Sequence, residues 1–283
     1  MANRMADKTL TIRCPAKLNL TLAVGPARED GLHPIASVMV ALDIGDALKL
    51  RRIADGPSRF DRRFASDAPK RQVINWPIER DLVFRASSLM EEHVGRALPV
   101  ACDLVKRIPA GAGLGGGSSN AAAMLLGLAR LYDLNVAEGA LIDLARGLGA
   151  DVAFLVQALL GRPAALVTGI GDIVEPIDGL RAFDCVLVFP AGACPTGAVY
   201  RAYDESPARP ISSDLIESWK RADRIPPVHN DLYAAAGRVC PEIRQAAEAI
   251  EQLGREPRMT GSGSALWVVA ESHIDAVGIA DGL

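Results

Sequence analysis

Between Pro109 and Ala123 the chain reads Pro-Ala-Gly-Ala-Gly-Leu-Gly-Gly-Gly-Ser-Ser-Asn-Ala-Ala-Ala, five glycines and two serines running straight into an alanine- and leucine-rich stretch. Glycine at that density gives up side-chain packing and backbone order, so the run is confined to a loop that feeds a helix. Glycines also let the backbone take positive φ and approach a ligand closely. The unpaired N–H groups and positive dipole end of the following helix attract anions. Together these features point to the phosphates of a nucleotide.

Three known glycine patterns compete for the segment. A Walker loop needs Lys-Ser or Lys-Thr after its last glycine, and Gly117 is followed by Ser118 and Ser119. The dinucleotide fingerprint is formally met by Gly111, Gly113 and Gly116, with Asp133 near the distance of the ribose-binding acid. That acid must end a second parallel strand, and Asp133 instead follows Leu131-Tyr132 at the close of a helical stretch. A protein-kinase loop fails for want of a lysine-bearing third strand, a His-Arg-Asp loop and an Asp-Phe-Gly element. The segment is therefore a different kind of phosphate cradle.

The 283 residues, 49% of them hydrophobic, suffice for two modest domains with real cores. A net charge of −3 argues against bulk binding to nucleic acid. The one basic run, Lys49 to Arg71, carries eight lysines and arginines and is read as a solvated hairpin or loop. Five cysteines, an odd count with no Cys-x-x-Cys pair, fit a reduced cytoplasm and show no zinc site. No targeting segment is visible, and no apolar run approaches the roughly 20 residues of a membrane span.

Alternation predicts strands at Thr9–Arg13, Ala16–Val24 and Ile35–Leu42, then a turn at Gly45-Asp46 and a further strand at Ala47–Ile53. A helix follows at Asp81–Val94, and a strand at Pro99–Ile108 feeds the glycine loop. Beyond the loop, helices are expected at Ala121–Tyr132, from an Asn135 cap with Glu138 to Arg146, and at Val152–Leu160 opened by Asp151. Gly161-Arg162-Pro163 marks a boundary between domains 1–162 and 163–283. The second half carries a hairpin at Ala164–Thr168 and Ile173–Pro176, strands at Cys185–Phe189 and Leu266–Ala270, and helices at Thr196–Asp204, Leu232–Gly237 and Pro241–Leu253. Strands and helices segregate without regular βαβ repetition, which argues α+β.

Pro15-Ala-Lys-Leu-Asn-Leu20, Asp30-Gly-Leu-His33, Leu148-Gly-Ala-Asp-Val152 and Met259-Thr-Gly-Ser-Gly263 join the glycine loop in a fixed order over nearly the whole length. With these motifs the chain resembles the GHMP kinase family. The resemblance implies a ribosomal S5-like N-terminal domain, which binds ATP, and a ferredoxin-like C-terminal domain, which binds the substrate. The implied reaction transfers the γ-phosphoryl of ATP, with Mg²⁺, to the 2-hydroxyl of 4-diphosphocytidyl-2-C-methyl-D-erythritol. It belongs to non-mevalonate isoprenoid precursor biosynthesis, carried out in the cytoplasm by a monomer or weak homodimer with no nucleic-acid or membrane partner. Homoserine- or mevalonate-type kinases, an inactive nucleotide-binding relative and a dehydrogenase are the competing readings.

Residue by residue, the resemblance makes Asp151 the general base and Lys17 the cation that keeps it ionised and orients the hydroxyl. Asp151 equally suits a helix N-cap. Pro109, Ala110, Gly111, Ala112, Gly113, Leu114, Gly115, Gly116, Gly117, Ser118 and Ser119 form the ATP-binding loop, the serines being available to phosphate or metal as well as to capping. Asn19, two residues after Lys17 on an extended strand, faces the same way. His33 matches the histidine that reads a cytosine edge, but Leu32 stands where the family commonly has tyrosine, leaving Tyr200 as the aromatic face. Thr196 falls near the substrate or caps its helix, and Gly261, Ser262 and Gly263 line the phosphate cavity or form a tight turn. No metal ligands are readable.

Overall fold

Strand β3 (Ile35–Arg52) organises the molecule, running unbroken for 18 residues. The protein is described as a computed structural model over residues 8–54, 56–192, 194–207, 209–221 and 223–283. Contacts divide it into two units. The first comprises the N-terminal stretch to Lys17, Ala41–Ala110 and Gly115–Pro163; the second comprises Leu18–Val40, Gly111–Leu114 and Ala164–Leu283.

In the first unit, β3 pairs antiparallel with β5 (Val100–Lys106), from Ala47 opposite Val105 to Arg52 opposite Val100. The edge strand β4 (Arg59–Phe64) runs parallel to β5, and β1 (Thr9–Asn19) also pairs with β3. Helices α1 (Leu82–Val94), α2 (Gly116–Leu131), α3 (Glu138–Leu148) and α4 (Ala150–Leu159) complete the unit. Every residue of α2 from Ser119 to Leu128 is buried, so this helix forms the core. Each of its leucines contributes about 1.5–3 kcal/mol on burial.

In the second unit, the N-terminal part of β3 pairs with β2 (Ala23–Val24) and with β6 (Ala164–Thr168), and β7 (Ile173–Pro176) pairs with β6. A second sheet has the order β8 (Asp184–Val188), β10 (Leu266–Ala270), β9 (Arg258–Met259). Its helices are α5 (Thr196–Asp204), α6 (Ser213–Lys220), α7 (Tyr233–Val239), α8 (Glu242–Gln252) and α9 (His273–Asp281). Val199, Leu232, Ile243, Ile250, Leu266 and Val268 form the centre of its core.

Several local expectations are corrected. Gly45-Asp46 is not a turn but lies inside β3: a Cβ on Gly45 would fall 2.2 Å from the Cys14 carbonyl oxygen, so glycine is there for close approach, and Asp46 is fully buried. Helix α2 begins at Gly116, five residues before the expected Ala121, because Gly115 at φ 67° caps it and the glycine–serine turn is itself helical. Asn135 does not cap α3; Ala137 occupies that position with no side-chain bond. The basic segment contains strand β4, with Arg62 paired to Asp81 and Arg63 to Asp103. Helices α6 and α9 went unread, the first among prolines and charges, the second with Gly278 inside it. A single division at 162/163 also misses that residues 18–40 and 111–114 group with the C-terminal unit. The reason is that Ser37–Val40 are the strand partners of Ala164–Val167.

Candidate active site

Lys17 is 3% exposed near the end of β1, where a lysine is uncommon unless its charge is used. Its Nζ stands 3.8 Å from Asp151 Oδ2. Burial pushes the ammonium down from the ordinary lysine value, and Asp151 opposes that shift without cancelling it. Asp151 does not cap α4. It is the second helical residue, Gly149 holds the cap position without a side-chain bond, and the carboxylate keeps 29% of its surface open.

The stem of Lys17 passes over Gly115. A Cβ there would lie 2.8 Å from Lys17 Cγ, and φ at this residue is 67°, so both space and backbone require glycine. Gly115 is the cap of α2, whose first N–H groups have no partner within the helix. One lysine thus joins the carboxylate to an anion-attracting helix end. Ser119, in the first turn of α2, is fully buried and its Oγ has no hydrogen-bond partner. A buried hydroxyl beside helix-end amides suits phosphate oxygens or a metal bound through them. Among the described residues no three acidic, histidine or cysteine side chains form a metal cluster. Elsewhere in the loop, Gly116 packs against Ile108, and Ala110 exchanges both main-chain groups with Gln72, its N–H donating to Oε1 at 2.7 Å.

Within the second unit, Gly111 and Gly113 both have positive φ. A Cβ on Gly113 would fall 2.4 Å from the Thr260 carbonyl oxygen, and Ala265 N–H donates to Ala112 O, so this part of the loop is laced to the Thr260–Ser264 turn. Asn19 is buried in the same network: its N–H donates to Thr260 Oγ1 at 3.0 Å and its amide to Ser37 Oγ at 2.7 Å. Thr196 and Ser262 hydroxyls lie 2.9 Å apart. Gly261 and Gly263 have positive φ, and Asn230 Nδ2 fixes the turn by donating to Met259 O and Gly261 O.

His33 is 8% exposed, with Nδ1 2.9 Å from Gly25 O and Nε2 3.3 Å from Asp204 Oδ1. Tyr200 packs on its ring at 5.0 Å and Tyr203 at 5.9 Å. Leu32 is 48% exposed beside it. Tyr203 and Asp204 were missed, although spacings of three and four from Tyr200 place them on the same side of α5. Gln72 and Asn230 carried no comparable signal.

The GHMP kinases N terminal domain model matches residues 81–158, from the cap of α1 through the glycine loop to the helix that bears Asp151, and the surrounding fold is that of this class. A 4-diphosphocytidyl-2-C-methyl-D-erythritol kinase of Polynucleobacter asymbioticus is 37% identical over 97% of this chain and 88% of its own length. One of Thermus thermophilus is 38% identical over 91% of this chain and 86% of its own. A crystal structure of 4-(cytidine 5'-diphospho)-2C-methyl-D-erythritol kinase superposes with TM-score 0.75 and 35% identity, covering 96% of this chain and 94% of that one. The chain belongs to the 4-diphosphocytidyl-2-C-methyl-D-erythritol kinase family. A homoserine kinase from Cytophaga hutchinsonii, at 16% identity and TM-score 0.64 over 97% and 89%, shares the fold.

Proposed function

We propose that this chain is an ATP-dependent kinase that phosphorylates the 2-hydroxyl of 4-diphosphocytidyl-2-C-methyl-D-erythritol, in isoprenoid precursor biosynthesis. The observation that carries the reading is the Lys17–Asp151 pair at 3.8 Å, with the lysine stem against the glycine that caps α2. Phosphoryl transfer asks mainly for positioning and charge neutralisation. The N–H groups at the start of α2, with Ser118 and Ser119, hold the phosphates. The substrate oxygen attacks the γ-phosphorus, the bond to the β,γ-bridging oxygen breaks, and ADP leaves. Asp151 takes the hydroxyl proton on its open carboxylate face, and Lys17 stabilises the negative charge on carboxylate and phosphoryl oxygens. Mg²⁺ bound with ATP would neutralise phosphate charge, with the Ser118 and Ser119 hydroxyls available to hold it.

In the second unit, His33 with Tyr200 reads the cytosine, and Asn19, Thr196, Gly261, Ser262 and Gly263 offer polar contacts to the substrate. Leu32 contributes an aliphatic contact. The working form is a cytoplasmic monomer or weak homodimer. The test is phosphorylation assayed with ATP and three acceptors. Turnover of the cytidyl alcohol, with homoserine and mevalonate inert, is expected; preference for either control overturns the assignment.

A further inference from the structure

Asp46, Lys106 and Asn120 form a polar cluster in the first unit that the chemistry above does not use. They are 0%, 4% and 1% exposed. Lys106 Nζ donates to Asp46 Oδ2 at 2.6 Å and to Asn120 Oδ1 at 2.9 Å, and Asn120 Nδ2 donates to Asp46 Oδ2 at 2.9 Å. The other carboxylate oxygen, Oδ1, accepts the main-chain N–H groups of Arg107 at 2.6 Å and Ile108 at 2.8 Å. A buried ion pair is a poor source of net stability, since well-packed apolar side chains usually do as well. Its geometry is the informative part. Arg107 and Ile108 lead directly into Pro109, and Asn120 lies on α2 just beyond the glycine–serine turn, so one carboxylate fastens the chain on both sides of the glycine loop.

A loop so rich in glycine has few side chains to define its path and much backbone entropy to lose. The α2 cap residue is glycine and supplies no side-chain bond. The loop's ends must therefore be fixed from outside if its N–H groups are to be aimed before a phosphate arrives. We infer that Asp46 is a positioning residue for nucleotide binding, acting through Arg107, Ile108 and Asn120 to hold the phosphate loop preorganised. The inference rests on the reading of that loop as the ATP cradle.

Its test compares double variants, so that no buried charge is stranded. D46L/K106M removes the acceptor, whereas D46N/K106M keeps an oxygen for the two N–H groups and lets Asn120 turn its amide to match. Both are measured for melting, ADP affinity, and KM for ATP and for the alcohol. The expected result is a folded D46L/K106M protein with ADP affinity and ATP KM worse by about tenfold or more and alcohol KM changed less than about twofold, and D46N/K106M within about threefold of wild type on all three. Wild-type ADP affinity in folded D46L/K106M overturns the inference, as does an equal loss for both substrates. If D46L/K106M does not fold, N120L, which frees only the α2 side, is decisive: ADP binding weakened about threefold or more supports the clamp, and unchanged binding overturns it. Failure of the wild-type protein to bind ADP overturns the ATP reading itself, and the inference with it.

Discussion

Lys17 carries its charge where burial opposes it. The ammonium is lost at a pH below the ordinary lysine value of 10.5, because desolvation outweighs the attraction of Asp151. Between the lowered folded value and 10.5 the unfolded chain binds the extra proton, so the contribution of Lys17 to stability rises with pH across that window. Turnover has the opposite sign there, since it needs the cation. The alkaline limb of kcat/KM is expected to fall below pH 10.5, read from a pH–rate profile; activity sustained through that value would show that the lysine charge is idle. Asp151→Asn is expected to lower kcat by about 10²–10⁴ while a nucleotide titration gives Kd within about threefold of wild type. Near-normal turnover would remove Asp151 as the base. Both residues were legible because a short motif surrounds each. Asp46 was not, because Gly-Asp between two apolar runs reads as a hairpin turn and nothing local reveals that a carbonyl from another strand presses on the glycine.

At the scale of elements, side-chain periodicity located most strands and helices but erred where backbone packing decides. Gly45 is the clearest instance: it lets β3 continue past Cys14 of β1 where a turn was expected, and with the strand unbroken Asp46 points inward. Gly45→Ala puts a methyl carbon 2.2 Å from a carbonyl oxygen, and main chain must move to relieve it. The expected loss is about 1–3 kcal/mol, the range for an overpacked interior, measured by urea denaturation of the folded variant. An unchanged midpoint would mean that the strands have slack. Helix α2 likewise begins within a glycine run that propensity reads as loop, because its first turn is stabilised by Gly115 in the left-handed region and by the burial of the residues that follow.

On the scale of the molecule, α+β character was legible from the segregation of strands and helices, but the division of the chain was not. The two units exchange chain at 17/18, 40/41, 110/111, 114/115 and 163/164, and only the last lies where a Gly-Arg-Pro break announces it. The other exchanges leave no compositional mark, since they occur within strands and within the glycine loop. This arrangement bears on a fragment ending at Arg162. Such a fragment keeps Ser37–Val40 but loses their antiparallel partners Ala164–Val167. It keeps Leu22 and Val24 but loses His229 O and Asp231 Oδ2, which accept their N–H groups at 2.7 and 2.8 Å. It keeps Gly113 but loses the Thr260 hydroxyl that lies 3.3 Å from its carbonyl oxygen. Each lost main-chain partner leaves a polar group that must find water, and Leu22 and Val24 lose the C-terminal residues of the core they belong to. The fragment 1–162 is therefore expected to lack a cooperative melting transition, whereas the 283-residue chain shows one. Calorimetry on both decides the matter, and a sharp transition in the fragment would mean that the N-terminal portion folds without its C-terminal strand partners.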